Sequence, residues 1–174
     1  MRTLTYWKTV ARDQSNFLER LVGLLKEHGI HYCVIDGQAV NAYVDPLVSL
    51  DLDLVVSVDQ IERVESLTQS TFTVKRFPHS LNLSAIDSDL RVQIQTDSRY
   101  FDFVDRASVH EVLGIELPVA SVEDVMKGKV WAAQDSERRA SKRQKDLADI
   151  ARLIEAYPHL REQVPAEILN RLMK

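Results

Sequence analysis

The spacing of apolar residues along the chain predicts short helices that alternate with short strands. Apolar side chains recur at helical spacing between residues 14 and 28, and Gly29 follows as a helix stop. Stretches bounded by capping or turn residues predict further helices over 38–44, 58–70, 122–135, 139–156 and 166–174. Runs that are rich in β-branched residues, or that alternate in polarity, predict strands over 30–36, 50–58, 72–77, 80–86, 90–96 and 115–121.

Local signals place two helix starts and one hairpin. Asp59 is predicted to be the N-cap of the helix over residues 58–70. Ser121 is followed three residues later by Asp124, which resembles a capping box in front of the next helix. The short segment "DSD" between the strands over 80–86 and 90–96 predicts a hairpin turn.

This order of elements predicts an α/β (α+β) fold, in which helices flank a small mixed β-sheet and the C-terminal helices pack beside it. Several strands are too close in sequence for parallel crossovers, so the sheet should also contain antiparallel pairs. We expect residues 1–120 to form the α/β core with the N-terminal helix. Residues 121–174 should form a helical segment that completes the same domain.

The composition indicates a packed domain without disulfide bonds. Hydrophobic residues make up 45% of the 174 residues, which is enough for a core. The one cysteine, Cys33, lies in a predicted buried strand, which favours an inert thiol over a nucleophile. No stretch is apolar and long enough for a membrane span, and the start of the chain lacks a signal-peptide core. We therefore expect a cytoplasmic protein that does not bind membranes.

The net charge of −4 hides a local basic excess. Seven lysines and arginines lie between Lys127 and Lys145, against two acidic residues. Such an excess is typical of a solvated helix face, and it is also found where a protein binds phosphate groups. The charge pattern alone favours the solvated face.

The candidate chemistry begins with Asp51 and Asp53, which are separated by one residue in a predicted strand. Their side chains should therefore point to the same face of the sheet. Two carboxylates this close repel each other, and each resists the loss of its water. A bound cation or exposure to solvent would resolve this conflict. Upstream, Gly37 lies between a predicted strand and a predicted helix, a junction whose free N–H groups favour phosphates.

These features together resemble the polymerase-β-type nucleotidyltransferase superfamily, which has a glycine-led pair at a helix start and then an Asp-x-Asp strand. Here Gly37–Gln38 and Asp51–Asp53 occupy those places. The chain resembles the bacterial minimal, abortive-infection-type branch more fully, over about residues 30–156. That resemblance rests on the order and spacing of four segments, "GQAVNAY", "DLDLVV", "GIELPVASVEDVMKGKVWAA" and "RQKDLADIARL".

The resemblance implies Mg²⁺-dependent transfer of a nucleotidyl group from a nucleoside triphosphate, such as ATP, to an acceptor hydroxyl. The acceptor could be tRNA, a protein or a small molecule, and an antitoxin-type protein is an implied partner. Asp51 and Asp53 would hold Mg²⁺. Gly37 and Gln38 would bind phosphates through their backbone N–H groups.

The resemblance also implies that Lys129 and Asp146, on the two C-terminal helices, reach the site. Lys129 would place its positive charge on the triphosphate. Asp146 and Asp149 are three residues apart and share a helix face, whereas Lys145 lies off that face. By spacing alone, a solvated face with local ion pairs explains this pattern better.

One departure from the superfamily bears on catalysis. Many members carry a third carboxylate on a later strand, and here the matching strand has Gln93 and Gln95. An amide can accept a hydrogen bond but cannot act as a base near neutral pH. The alternative hypothesis is therefore a catalytically degenerate module of the same fold, which binds a nucleotide or a protein partner.

Overall fold

The computed structural model describes residues 3–172. Its α-helices are α1 Thr3–Val10, α2 Phe17–Glu27, α3 Asp36–Tyr43, α4 Ile61–Gln69, α5 Val122–Gln134, α6 Ala140–Ala156 and α7 Ala166–Leu172. Its strands are β1 Tyr32–Ile35, β2 Asp51–Val56, β3 Thr73–Phe77, β4 Ser80–Ser84, β5 Arg91–Gln95, β6 Ser108–Val112 and β7 Ile115–Val119. Short 3₁₀ helices span Val58–Gln60, Ser98–Arg106 and Pro158–Gln163.

The seven strands form one mixed sheet in the order β3-β4-β5-β2-β1-β7-β6. The pairs β2–β5 and β1–β7 are parallel, and the other neighbours are antiparallel. The predicted mixed sheet flanked by helices is therefore confirmed. The predicted hairpin is also present, since β4 and β5 pair antiparallel across the "DSD" segment.

A single connected hydrophobic core joins the sheet to the helices. In β2, Leu52 and Leu54 are buried while the aspartates beside them are not fully covered. Full burial of each such leucine stabilises the fold by about 1.5–3 kcal/mol. Helices α5 and α6 pack against each other and both contact α3. This packing places the C-terminal helices next to the ends of β1 and β2.

Several predicted boundaries are confirmed and one is wrong. The Ser121 hydroxyl accepts a hydrogen bond from the Asp124 N–H at 3.2 Å, as expected of a capping residue. Gly29 follows α2 with φ +63°, a conformation that glycine adopts at little cost. Asp59 is not an N-cap, because it lies inside the 3₁₀ turn and makes no capping hydrogen bond. Instead, the Gln60 amide accepts from the His31 N–H at 2.7 Å and ties this turn to β1. The last two residues of the predicted helix over 166–174 lie outside the described residues.

Among the α-helices and strands, α1 and β6 were not predicted, and neither were the 3₁₀ helices Ser98–Arg106 and Pro158–Gln163. Helix α1 buries only Trp7, so its apolar pattern is weak. Strand β6 lies at the edge of the sheet, where four of its five residues are at least partly exposed, so it lacks a buried apolar face. Within residues 3–172, no helix is both long and apolar enough to cross a membrane.

Candidate active site

A cavity of about 660 Å³ opens between the sheet and the helices α3, α5 and α6. Its floor is made of polar side chains from β2, β3, β4 and β5. Its opposite wall comes from the start of α3, the middle of α5 and the first turns of α6. The residues that matter for its chemistry are Asp36, Gly37, Asp51, Asp53, Lys129, Arg138, Arg139, Lys142, Lys145 and Asp146.

Asp51 and Asp53 point to the same side of β2 and both line this cavity. The Arg91 guanidinium of β5 donates to Asp51 at 2.8 Å, and both groups remain partly exposed. Asp53 is more enclosed and has no such partner among the described residues. Burial, followed by the negative charges of Asp36 and Asp51, raises the pKa of Asp53 to about 8. The charged form of Asp53 is therefore disfavoured in this environment.

Lys129 lies at the centre of a buried ion-pair cluster. Its ammonium contacts Asp36, Asp146 at 3.2 Å and Asp149 at 2.9 Å, and the Lys129 side chain is only 2% exposed. Burial lowers the pKa of Lys129, but these three carboxylates outweigh it, so the net shift of the pKa is upward. Lys129 is therefore a charged residue whose charge is already balanced within the protein.

Two arginines complete the cluster around the aspartates of α6. Arg138 donates to both oxygens of Asp146, at 2.6 and 3.3 Å. Arg152 donates to Asp149 at 2.9 Å and also to the Asp45 carbonyl in the segment that precedes β2. Asp146 and Asp149 do share a helix face, as predicted, but that face is buried rather than solvated.

Asp36 is a cavity residue that the sequence reasoning missed. It is the first residue of α3 and has φ +58°, a left-handed conformation that costs most residues about 1 kcal/mol and that Asp and Asn tolerate best. Burial raises the pKa of Asp36, but the positive charges of Lys129, Arg138 and Lys145 lower it by more, so the net shift of the pKa is downward. The only sequence signal was its position between a buried strand and a glycine.

Gly37 and Gln38 differ in their access to the cavity. Gly37 lines it, and a Cβ on Gly37 would have only the Lys145 Nζ within 4 Å, at 3.8 Å. The sharp turn falls on Asp36 rather than on Gly37, whose φ is not positive. The Gln38 side chain is buried and donates to the Ser49 carbonyl at 3.2 Å, so it braces the segment before β2.

The strand matched to the superfamily's third carboxylate does lie beside β2. Gln93 of β5 is in register with Asp53, and Arg91 is in register with Asp51. Both Gln93 and Gln95 line the cavity. The position next to Asp53 therefore carries a neutral carboxamide.

The donor set suits a hard cation, because carboxylate oxygens are the ligands that Mg²⁺ prefers. Asp51 and Asp53 could both reach such an ion, and its charge would relieve the repulsion that raises the Asp53 pKa. Among residues 3–172, no three or more His, Cys, Asp or Glu side chains are grouped so that they could hold a metal. Asp36, whose negative charge also acts on Asp53, is engaged by Lys129. Metal binding here would therefore depend on two carboxylates together with oxygen atoms of a substrate.

The sequence is similar to one described family. Residues 37–174 match the family described as "Nucleotidyl transferase AbiEii toxin, Type IV TA system". No curated protein has a matching sequence.

Solved structures share the fold at low sequence identity. The antibiotic-resistance factor ANT(2'')-Ia superposes with a TM-score of 0.55 and 12% identity, over 91% of this chain and 88% of its own. The lincosamide antibiotic adenylyltransferase LnuA, solved with lincomycin bound, has a TM-score of 0.54 and 12% identity, over 80% of this chain and 98% of its own. An antigenic nucleotidyltransferase-like protein from Paracoccidioides brasiliensis has a TM-score of 0.53 and 19% identity, over 86% of this chain and 75% of its own. These similarities establish a nucleotidyltransferase-type fold.

Proposed function

The chain belongs to the AbiEii family of nucleotidyltransferase toxins, and on this premise we propose that it transfers a nucleotidyl group from a nucleoside triphosphate to an acceptor hydroxyl. One observation carries the proposal. Asp51 and Asp53 lie side by side in a cavity that also holds the glycine-led start of α3 and a basic helix. Carboxylates that bind a cation, next to groups that bind phosphates, are what phosphoryl-group chemistry requires.

In this proposal Asp51 and Asp53 hold Mg²⁺, which would neutralise the negative charge of the triphosphate and of its leaving group. The start of α3 receives phosphates through the backbone N–H groups of Gly37 and Gln38. The acceptor hydroxyl oxygen forms a bond to the α-phosphorus, and the bond from that phosphorus to the bridging oxygen breaks. Pyrophosphate leaves, and the hydroxyl proton passes to solvent water.

We assign Lys129 and Asp146 to positioning rather than to contact with the substrate. Their side chains are 2% and 1% exposed, and both are fully engaged in ion pairs. Through these pairs Lys129 fixes Asp36, at the start of α3, relative to α6. Direct contact of Lys129 with the triphosphate remains a prediction, and its burial and balanced charge argue for the indirect role.

The acceptor and the biological partner that we propose are those that the family suggests. The proposed acceptor hydroxyl belongs to tRNA, a protein or a small molecule. We further propose that the protein acts as the toxin of a toxin–antitoxin system, with an antitoxin as its counterpart, as the family description states for AbiEii.

A second candidate function rests on Gln93. Because this carboxamide stands in register with Asp53, no carboxylate of β5 can take the proton of the acceptor hydroxyl. The chain would then be a module that binds a nucleotide or a protein without turnover. Calorimetry with ATP, GTP, CTP and UTP in the presence of Mg²⁺, combined with a transfer assay, separates the two functions. Binding without transfer favours the module, and a gain of transfer in Gln93→Asp would identify a degenerate enzyme.

The direct test of the enzyme is incubation of the protein with labelled nucleoside triphosphates, Mg²⁺ and a cell extract. The label should move into one class of acceptor, and Asp53→Asn should abolish this transfer while the protein stays folded. Undiminished transfer by Asp53→Asn would refute the metal assignment.

A further inference from the structure

Because the charge of Lys129 is already balanced by aspartates, Lys129 does not explain which side chains bind the phosphates of a nucleoside triphosphate. A nucleoside triphosphate brings several negative charges into a cavity whose floor already contains Asp51 and Asp53. Lys129 and Arg138 are committed to the aspartates of the buried cluster. Side-chain positive charge for the phosphates, beyond that of the Mg²⁺ proposed at Asp51 and Asp53, must therefore come from other residues.

Three basic residues on α6 and its N-cap position meet this requirement. Arg139, Lys142 and Lys145 line the cavity, and all three are exposed. They are spaced three residues apart, so their side chains leave the helix on the same side. Within residues 3–172 none of them forms a salt bridge. Like charges at this spacing repel each other, and an anion between them would relieve that repulsion.

The same residues lie close to the carboxylates across the cavity. The Lys145 Nζ is 3.8 Å from the position of a Cβ on Gly37, which places this ammonium over the start of α3. Lys142 and Lys145 line the same cavity as Asp51 and Asp53. One ligand in this cavity can therefore contact both its acidic floor and its basic wall.

The other basic residues between positions 127 and 145 do not offer an unpaired positive charge to the cavity, and Lys75, which also lines it, lies on the floor in β3. Lys127 lies 3.6 Å from Asp124 and does not line the cavity. Arg143 is half-buried and does not line the cavity. The basic stretch thus divides into residues that are paired with aspartates or lie outside the cavity, and residues that line the cavity without a salt bridge among residues 3–172.

We propose that Arg139, Lys142 and Lys145 form the polyphosphate-binding wall of the site and receive the β- and γ-phosphates of the substrate. This proposal rests on the proposed function, because it takes the substrate to be a nucleoside triphosphate. It replaces Lys129 by the α6 residues as the source of positive charge for those phosphates.

The test uses inorganic tripolyphosphate without metal, with binding measured by isothermal titration calorimetry on the full chain. The variant is Lys142→Met/Lys145→Met. Its control is Lys26→Met/Lys127→Met, which removes the same charge from exposed positions outside the cavity. We expect the affinity of the Lys142/Lys145 variant to fall at least about tenfold, since each lost contact is a hydrogen bond between charged groups. The control should bind like the wild type, and thermal unfolding should show that both variants are folded.

The outcomes separate this inference from the proposed function. The inference is wrong if the wild type does not bind tripolyphosphate, or if the Lys142/Lys145 variant binds as tightly as the wild type. It is also wrong if the control loses as much affinity as that variant, because binding would then reflect overall charge. A protein that binds tripolyphosphate through Lys142 and Lys145 but transfers no nucleotide would refute only the proposed function.

Discussion

Asp51 and Asp53 share a face of β2 but have different surroundings. Period-two alternation was enough to predict the shared face. It could not predict that Arg91 balances Asp51 while Asp36 adds negative charge near Asp53. Those neighbours come from β5 and from the β1–α3 junction, and only the tertiary fold brings them together. Sequence spacing therefore found the pair, and the structure shows that Asp53 lacks the salt-bridge partner that Asp51 has in Arg91.

The raised pKa of Asp53 predicts how stability depends on pH in the absence of metal. The folded protein holds a proton on Asp53 up to about pH 8, whereas the unfolded chain releases it near pH 4. The contribution of the protonated Asp53 to the free energy of unfolding is therefore fully present below about pH 4 and is lost as the pH rises towards 8. Asp53→Asn does not lose stability in this way, because asparagine carries no titrating proton.

The melting temperature of Asp53→Asn relative to wild type should consequently rise between pH 5 and pH 8 in EDTA. Each 1 kcal/mol corresponds to about 2–4 °C in a chain of this size. Addition of Mg²⁺ at pH 8 should stabilise the wild type and not the variant. A difference in melting temperature that stays constant from pH 5 to pH 8 would contradict the environment described for Asp53.

Gly37→Ala tests the close approach of phosphate to α3. A Cβ at this position meets no backbone, and alanine in a helix is more stable than glycine by up to about 1 kcal/mol. The variant should thus fold at least as stably as the wild type but bind Mg²⁺–ATP more weakly, by calorimetry. Gly23→Ala is the matched control, because nothing lies within 4 Å of its Cβ position. Unchanged ATP affinity in Gly37→Ala would exclude a phosphate contact at this glycine.

At the level of elements, Lys129 of α5 connects three helices, because it forms ion pairs with Asp36 of α3 and with two aspartates of α6. The helical spacing of the C-terminal segments, the Ser121 cap and the shared face of Asp146 and Asp149 were all readable from the sequence. Burial of that face was not readable, because a polar face of a helix is ordinarily solvated. Partners for Asp146 and Asp149 come from α5 and from Arg138 and Arg152, and this cluster buries them.

Lys129→Met should be strongly destabilising, because it leaves Asp146 and Asp149 buried with less compensation. Removal of one partner from a buried ion pair costs about 3–5 kcal/mol. Lys127→Met, on the exposed side of the same helix, should cost no more than about 0.5 kcal/mol. Urea unfolding measures both values. Equal stability of the two variants would show that the Lys129 cluster does not hold these helices together.

At the level of the whole molecule, one sheet and one hydrophobic core position the cavity, whose lining residues come from positions 35 to 146 of the chain. The order of strands and helices predicted the mixed sheet, but the edge strand β6 and helix α1 carry too little buried apolar surface to be recognised. The cavity could not be predicted in detail, since its floor comes from residues 51–95 and its basic wall from residues 139–145, which are far apart in the sequence.

Residues 121–174 are predicted to be part of the same domain as residues 1–120. Val125 and Met126 of α5 are 2% and 0% exposed and belong to the common core. A chain of residues 1–120 should therefore fail to unfold cooperatively when followed by circular dichroism during heating. A sharp transition in this truncated chain would show that the α/β core is an independent domain.

The central claim is that the protein transfers the α-phosphate of a nucleoside triphosphate with its nucleoside. The most direct measurement compares parallel reactions with ATP, GTP, CTP or UTP labelled at the α- or the γ-phosphate, with Mg²⁺ and cell extract. For at least one nucleotide, the α-label should enter an acceptor and the γ-label should appear in pyrophosphate, and both should be absent with Asp53→Asn. Transfer of the γ-label to an acceptor, or no transfer of the α-label from any of the four nucleotides, would contradict the claim.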